Sequence, residues 1–127
     1  MEEIYRQRLD RLARALKETG LTQMIVSDRL AIWYFTGVDV HPGERLYALY
    51  ARADGRHKLI LNHLFTVPHT GLEEIWMSDT DDGIGILADA VDGTADMGID
   101  KSWPACFLLA LMERHPGVRY VNASGCV

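Results

Sequence analysis

The first third of the chain alternates apolar and polar positions in a way that predicts two helices with a strand between them. A helix over residues 2–19 is indicated by apolar residues at helical spacing and charged residues on its other face. A short buried strand is predicted at residues 23–27, and Asp28 is placed to cap a second helix over residues 29–35. The apolar stripe of the first helix comprises Tyr5, Leu9, Leu12 and Leu16.

The middle and the second half of the chain predict a sheet. Residues 45–51 and 57–61 are strand-like runs, and Asp54-Gly55 between them is a strong hairpin turn signal. Strand and helix then alternate, which indicates parallel strands joined by crossovers. The pattern as a whole predicts an α/β fold, with a mixed β-sheet flanked by helices. The later strands are predicted at residues 73–78, 96–100 and 118–124, and the later helices at 82–91 and 102–115.

The last predicted helix has an unusual composition. Ser102 is a candidate cap, and Pro104 falls in the first turn. From Trp103 onwards the helix is apolar on almost every side, which favours burial over packing against something outside the chain. Cys106 in this run is therefore expected to be a buried, reduced thiol, and nothing marks it as an activated nucleophile.

Composition narrows the class of protein. The 127 residues fit one domain with its own core, and a net charge of −5 without a basic block leaves no footprint for nucleic-acid binding. The first residues are charged and lack an apolar signal core, and the longest apolar run is too short to span a bilayer. We therefore expect a cytoplasmic protein that binds neither nucleic acid nor membrane.

Three motifs invite a cofactor or metal interpretation. Gly83, Gly85 and Ala88 have the spacing of a dinucleotide fingerprint, and Asp100 lies where a ribose-binding acid is expected. However, Asp79, Asp81 and Asp82 precede this helix, where they would repel a pyrophosphate and are better explained as helix caps. The calcium-like start of "DTDDGIG" lacks the glutamate at its twelfth position. His57, His63 and His69 lie six residues apart, a spacing that does not place them on one helix face.

One polar loop remains, between the second helix and the hairpin. It contains His41, Glu44 and Arg45 around a Pro-Gly turn. If Glu44 and Arg45 already lie on a strand, their side chains point to opposite faces, so one can anchor the loop while the other faces a ligand. Arg45 is suited to bidentate carboxylate binding, and His41 to hydrogen bonding near neutral pH. A turn whose charges are merely solvated explains the same residues equally well.

Taken together, long stretches of the chain resemble a known family. Residues 5–38, 41–61 and 97–124 closely resemble the N-terminal domain of the creatinase, prolidase and Xaa-Pro aminopeptidase family, whose catalytic domain has the "pita-bread" fold. The most specific parts of the resemblance are "WYFTG" at residues 33–37 and "ERLYAL" at residues 44–49.

This resemblance implies a mixed α/β fold similar to ribonuclease H, over one domain spanning residues 1–127. It also implies that this chain has no catalytic residues, binds no metal and is inactive alone. The family's chemistry uses two divalent metal ions, of manganese or cobalt type, in a C-terminal catalytic domain that this chain does not contain. The expected partners are that domain, a second subunit in a homodimer and a short proline-containing peptide.

For individual residues, the resemblance implies a role near the substrate or at the subunit interface for His41, Glu44 and Arg45, and more weakly for Asp39. Trp33, Tyr34 and Phe35 are expected to be packing residues. The leading hypothesis is a non-catalytic domain of a proline-specific metallopeptidase, which supports dimerisation and walls the active site. The alternatives are the same domain of a creatinase-like C–N hydrolase, a small dinucleotide-binding module that uses "GIGILA", or a freestanding binding module.

Overall fold

The computed structural model describes residues 1–127 and places one six-stranded sheet between two layers of helices. The mixed α/β fold predicted from the sequence is confirmed. In chain order the elements are α1 (Glu3–Glu18), β1 (Gln23–Val26), α2 (Arg29–Thr36), β2 (Ala48–Arg52), β3 (Lys58–Asn62), β4 (Glu73–Met77), α3 (Gly83–Ala90), β5 (Met97–Ile99), α4 (Ala105–Arg114), β6 (Tyr120–Asn122) and a short 3-10 helix (Ser124–Cys126).

The strand order across the sheet is β4-β3-β2-β1-β5-β6. Strand β2 is antiparallel to both of its neighbours, and every other pair of neighbours is parallel. Five strands therefore run in one direction and end at the same edge of the sheet, which we call the carboxyl edge. Strand β2 begins at that edge, so the loop that leads into it also lies there.

Alternating side chains of the central strands fill the two halves of the core. Leu49 and Leu59 face the layer formed by α1 and α2. Tyr50 and Ile60 face the layer formed by α3 and α4. This period-two alternation is what strands buried on both faces require, and it explains why these strands are apolar throughout.

Local signals fix the ends of α2. The Asp28 side chain accepts a hydrogen bond from the Ala31 backbone amide at 3.0 Å, which caps the helix as predicted. Gly37 ends the helix with a φ of 77°, and a Cβ there would lie 2.9 Å from the Tyr5 ring. Both the left-handed backbone and the close aromatic ring therefore require glycine at this position.

Two predicted boundaries are wrong. The first hairpin strand starts at Ala48 rather than at residue 45, because the Arg45 backbone amide bonds to the Pro42 carbonyl at 3.1 Å and closes a turn. Helix α4 starts at Ala105 with Pro104 as its N-cap, and Ser102 makes no capping hydrogen bond. The Pro104 ring lacks an N–H, so its place directly before the helix costs no hydrogen bond.

The burial expected for α4 is also wrong. Leu111 is its one fully buried residue, whereas Leu109 is 58% exposed and Cys106 is exposed as well. The helix covers the sheet with one face, and no further layer of this chain packs on its other face. Apolar composition alone could not distinguish these two situations.

The aromatic residues of α2 divide in the same way. Phe35 is buried as expected, but Trp33 is 53% exposed and Tyr34 is exposed. Since α2 turns Ile32 and Phe35 toward the sheet, the positions between them face outward. The Arg8 guanidinium stacks 4.1 Å from the centre of the Tyr34 ring.

None of the four α-helices combines the length and the apolarity needed to cross a lipid bilayer.

Candidate functional site

The candidate site is the loop between α2 and β2 at the carboxyl edge of the sheet. In open α/β sheets, ligands bind outside the carboxyl ends of the parallel strands. Within this loop Val38 and Val40 are buried, and they anchor the chain between α2 and the sheet. Asp39 and His41 alternate with them and are exposed. The loop thus presents polar side chains from an anchored backbone.

An ion pair links the second end of the loop to a neighbouring strand. Arg45 donates from Nε to Asp79 Oδ1 at 3.0 Å and from Nη2 to Asp79 Oδ2 at 2.9 Å. Asp79 follows β4, so this pair joins the loop to the end of a neighbouring strand. The hydrogen bonds from Arg45 and Asn62 hold the pKa of Asp79 below its usual value. Arg45 therefore already has a carboxylate partner within the domain.

A second ion pair links the first end of the loop to α2. Arg29 donates from Nε to Asp39 Oδ1 at 2.7 Å and from Nη2 to Asp39 Oδ2 at 3.0 Å. The hydrogen bond from Arg29 lowers the pKa of Asp39, and the nearby charge of His41 lowers it further. Asp39 is thereby tied to the first turn of α2.

His41 and Glu44 remain free between these two ion pairs. Both side chains are exposed, and neither makes a hydrogen bond or an ion pair within the chain. All four predicted residues therefore lie on one segment, but their contacts differ. Asp39 and Arg45 form ion pairs within the domain, while His41 and Glu44 are available to a ligand or a partner. Glu44 and Arg45 do not lie on a strand, because the turn of residues 42–45 precedes β2.

A cleft of about 330 Å³ opens beside this loop. Glu44 and Arg45 line one side, and the connection from β4 to α3 lines the other. Asp82 in that connection accepts from the Gly85 amide at 3.1 Å and from Arg114 at 2.6 Å, so it caps α3 as predicted. The acidic residues of the cleft are thus largely engaged by donors of the same chain.

Sequence reasoning missed Arg29 and Asn62. Asn62 is 4% exposed and donates from Nδ2 to Asp79 Oδ1 at 2.8 Å. The one signal for it was a polar side chain that ends an otherwise apolar strand. Nothing in the sequence marked Arg29, because its partner Asp39 lies ten residues later, beyond the end of the helix that Arg29 begins.

The dinucleotide interpretation does not fit this geometry. The carboxylate of Asp82 already occupies the start of α3, where a pyrophosphate would have to bind. Asp100 does not face a ribose site, since its carboxylate accepts hydrogen bonds from the backbone amides of Ser27 at 2.7 Å and Asp28 at 2.9 Å. Both acids have structural roles instead.

The side chains do not fit a two-metal centre either. Such a centre needs a cluster of carboxylate and imidazole ligands, and no group of three or more His, Cys, Asp or Glu side chains is placed to hold a metal ion. His57 is buried at the start of β3, whereas His63 stacks on Trp76 with ring centres 5.6 Å apart. His69 lies in the connection from β3 to β4, so the three histidines do not converge.

Comparison with known proteins decides the family. The profile of the Creatinase/Prolidase N-terminal domain matches residues 8–127. This chain belongs to that family. No curated protein sequence matches it.

Several solved structures that are similar in fold to this creatinase/prolidase N-terminal domain are dipeptidases. It superposes on dipeptidase PepE from Mycobacterium ulcerans with a TM-score of 0.83 and 27% identity, covering 97% of this chain and 35% of the dipeptidase. A dipeptidase from Pyrococcus horikoshii gives a TM-score of 0.80 at 19% identity, covering 94% of this chain and 35% of the enzyme. The chain therefore spans about a third of each of these two dipeptidases.

A proline dipeptidase structure from Streptococcus pneumoniae is close to this chain in length. It gives a TM-score of 0.81 at 19% identity, with 98% of this chain and 93% of that chain covered. At this identity the likeness shows the shared fold.

Proposed function

We propose that this domain is the non-catalytic N-terminal part of a proline-specific metallopeptidase, an Xaa-Pro dipeptidase or aminopeptidase. In this proposal it supports dimerisation and forms part of the wall of the active site. Family membership over residues 8–127 supports it, as do the dipeptidase relatives that are about three times as long. The cytoplasm is the proposed location.

The observation that carries the proposal is the tethered loop at the carboxyl edge. Ion pairs link it to neighbouring elements at Asp39 and at Arg45, and the exposed side chains of His41 and Glu44 lie between these two points. A fixed loop that presents an imidazole and a carboxylate loses little conformational entropy when it contacts a substrate. His41 can donate to a peptide carbonyl or accept from an amide, and Glu44 can bind a peptide ammonium group. These contacts would favour short peptides.

Hydrolysis itself is assigned to a separate catalytic domain. Two divalent metal ions bound there would activate a water molecule for attack on the scissile amide. The side chains of residues 1–127 offer no ligand cluster for these ions. The domain described here is therefore proposed to select and enclose the substrate rather than to cleave it.

Two exposed apolar surfaces support contacts with a second subunit or with the catalytic domain. On α2, Leu30 and Trp33 are exposed together, and on α4 the same is true of Leu109 and Met112. Exposed apolar side chains grouped on one helix face are typical of protein interaction sites.

The first test is to read the coding sequence beyond codon 127. The proposal expects an open frame that encodes two Asp, one His and two Glu as metal ligands. The product should then hydrolyse Xaa-Pro dipeptides with Mn²⁺, whereas residues 1–127 alone should not. A stop codon directly after Val127 would contradict the proposal and leave a freestanding binding module.

The second test addresses the loop in that longer product. His41→Ala and Arg45→Ala should raise KM, and His69→Ala provides a matched control because His69 lies outside the candidate site. Sedimentation of the same variants reports on dimerisation. If KM, kcat and dimerisation are all unchanged by both loop substitutions, the loop has no role in the enzyme. Cleavage of a non-peptide C–N bond in place of Xaa-Pro peptides would indicate a creatinase-like hydrolase.

A further inference from the structure

The ion pair between Arg45 and Asp79 lies at the surface, where such pairs contribute little on their own. Both side chains are almost half exposed. Solvent screens the charges, and holding two long side chains in one geometry costs entropy. An additional restraint is therefore needed if this pair is to hold the loop in one conformation.

Asn62 supplies that restraint. It is the last residue of β3 and lies opposite Met77 in the register with β4. Its Nδ2 donates to Asp79 Oδ1, and its own Oδ1 accepts from the Leu64 amide at 2.9 Å. Because both groups of the buried amide are engaged, the Asn62 side chain has one orientation, and that orientation fixes the Asp79 carboxylate.

A continuous chain of contacts thus leads from the core to the loop. Asn62 holds Asp79, and Asp79 holds two nitrogen atoms of Arg45. The Arg45 backbone amide closes the turn that carries Glu44, which follows His41 by three residues. The residues linked by these contacts come from three segments that are distant in sequence.

We propose that Asn62 and Asp79 are positioning residues for the loop of residues 39–45. They hold Arg45, and through Arg45 they fix the orientation in which His41 and Glu44 are presented. The functional consequence rests on the proposed peptidase role, whereas the control of loop conformation does not. Asn62 is buried and both carboxylate oxygens of Asp79 are engaged by Arg45 and Asn62, so the proposed role of these residues is to hold the loop rather than to bind substrate.

The direct test measures amide hydrogen exchange on residues 1–127. Asp79→Asn weakens the bond to Arg45 at an exposed position, so the variant should fold normally. Asn62→Ser keeps an oxygen that can accept from the Leu64 amide, but its shorter side chain lacks the Nδ2 group that donates to Asp79. Asp54→Asn is the matched control, since it weakens the comparable Arg52–Asp54 pair on the hairpin turn.

Both test variants should accelerate exchange of the Arg45 amide roughly tenfold, with strand amides of β2 and β3 unchanged. The control should leave Arg45 unchanged. Exchange at Arg45 that is the same in Asp79→Asn and in the unsubstituted chain would overturn the proposal. If Asn62→Ser unfolds, Asp79→Asn and the double variant Arg45→Ala/Asp79→Asn still test the proposal. The backbone amide of residue 45 should exchange no faster in the double variant than in Arg45→Ala alone, because Asp79 acts through the Arg45 side chain.

A kinetic test in the longer product separates the two proposals. If Asn62 and Asp79 position the loop for substrate, both variants should raise KM several-fold with kcat nearly unchanged. Normal KM in both variants, in an enzyme that cleaves Xaa-Pro peptides, would refute positioning for substrate and leave the peptidase proposal intact. Faster exchange at Arg45 in a product without peptidase activity would refute the peptidase proposal and leave the control of loop conformation standing.

Discussion

The carboxylate of Asp100 accepts a hydrogen bond from the backbone amide of Ser27 at 2.7 Å. It also accepts from the amide of Asp28 at 2.9 Å and from the Ser27 hydroxyl. One buried carboxylate at the end of β5 thereby holds the turn that leads from β1 into α2. This turn precedes the candidate site in the chain, so its geometry helps to place Arg29 and the loop beyond.

Removal of the Asp100 carboxylate should destabilise the domain. For Asp100→Ala we expect a loss of about 3 kcal/mol in the free energy of unfolding, because three donors lose a charged acceptor. Asp100→Asn should cost less, since one acceptor oxygen remains. Urea unfolding measures both, with the exposed Asp89→Ala as control. A loss for Asp100→Ala no larger than the control would show that the turn holds without this carboxylate.

The buried side chain of Gln23 should be equally important at the opposite edge of the sheet. Its Nε2 donates to the carbonyls of Asp92 at 2.8 Å and Ala95 at 3.1 Å, and its Oε1 accepts from the Tyr50 hydroxyl. Gln23→Leu should cost about 2–3 kcal/mol, because these buried groups lose their partners. Tyr50→Phe removes one hydroxyl and should cost about 1 kcal/mol.

The same denaturation measurement tests Gln23. The neighbouring exposed residue serves as control, and Thr22→Ala should change the stability by less than about 0.5 kcal/mol. An equal effect of Gln23→Leu and Thr22→Ala would mean that the connection between α3 and β5 is held by other contacts.

His57 should make the domain less stable in mild acid. Burial lowers the pKa of His57 below its usual value, although Asp10 and Asp54 partly oppose this. Its Nδ1 accepts from the Arg52 amide at 3.1 Å, which requires an unprotonated Nδ1. The folded state binds the His57 proton more weakly than the unfolded state does. The contribution of neutral His57 to the free energy of unfolding is therefore fully present above about pH 6.5 and is lost as the pH falls below that value.

The comparison with His57→Asn isolates this effect. Asparagine offers an acceptor oxygen near the position of Nδ1 and does not titrate. Between pH 7.5 and pH 5.5 the natural chain should lose more unfolding free energy than the variant. Parallel losses in the two proteins would mean that His57 does not cause the acid sensitivity.

Cys106 should react rapidly in the folded protein. It is exposed on α4, whereas Cys126 is only partly exposed and lies 3.7 Å from the Thr19 hydroxyl. Ellman's reagent should modify about one thiol quickly under native conditions, since reactivity needs access to the sulfur. Cys106→Ser should abolish the fast phase, and Cys126→Ser should preserve it. A fast phase that survives Cys106→Ser would contradict the exposure of this side chain.

Short-range patterns in the sequence were enough to predict most elements of this fold. The cap at Asp28, the helix end before Gly37 and the turn at Asp54-Gly55 each depend on neighbouring residues, and all three were confirmed. The loop of the candidate site was also recognisable, because His41 and its neighbours interrupt an otherwise apolar pattern. Whether these residues contact a substrate stays a prediction.

The sequence by itself determined which segments become helices and strands, because helical and strand periodicity and capping act over a few residues. Tertiary structure alone decided which faces remain open, as the exposure of Trp33 and Leu109 shows. It also decided the link from Asn62 through Asp79 to Arg45, in which Arg45 and Asp79 lie 34 residues apart in the sequence. Such contacts depend on which strands become neighbours in the sheet. A local pattern of polar and apolar residues does not determine that arrangement.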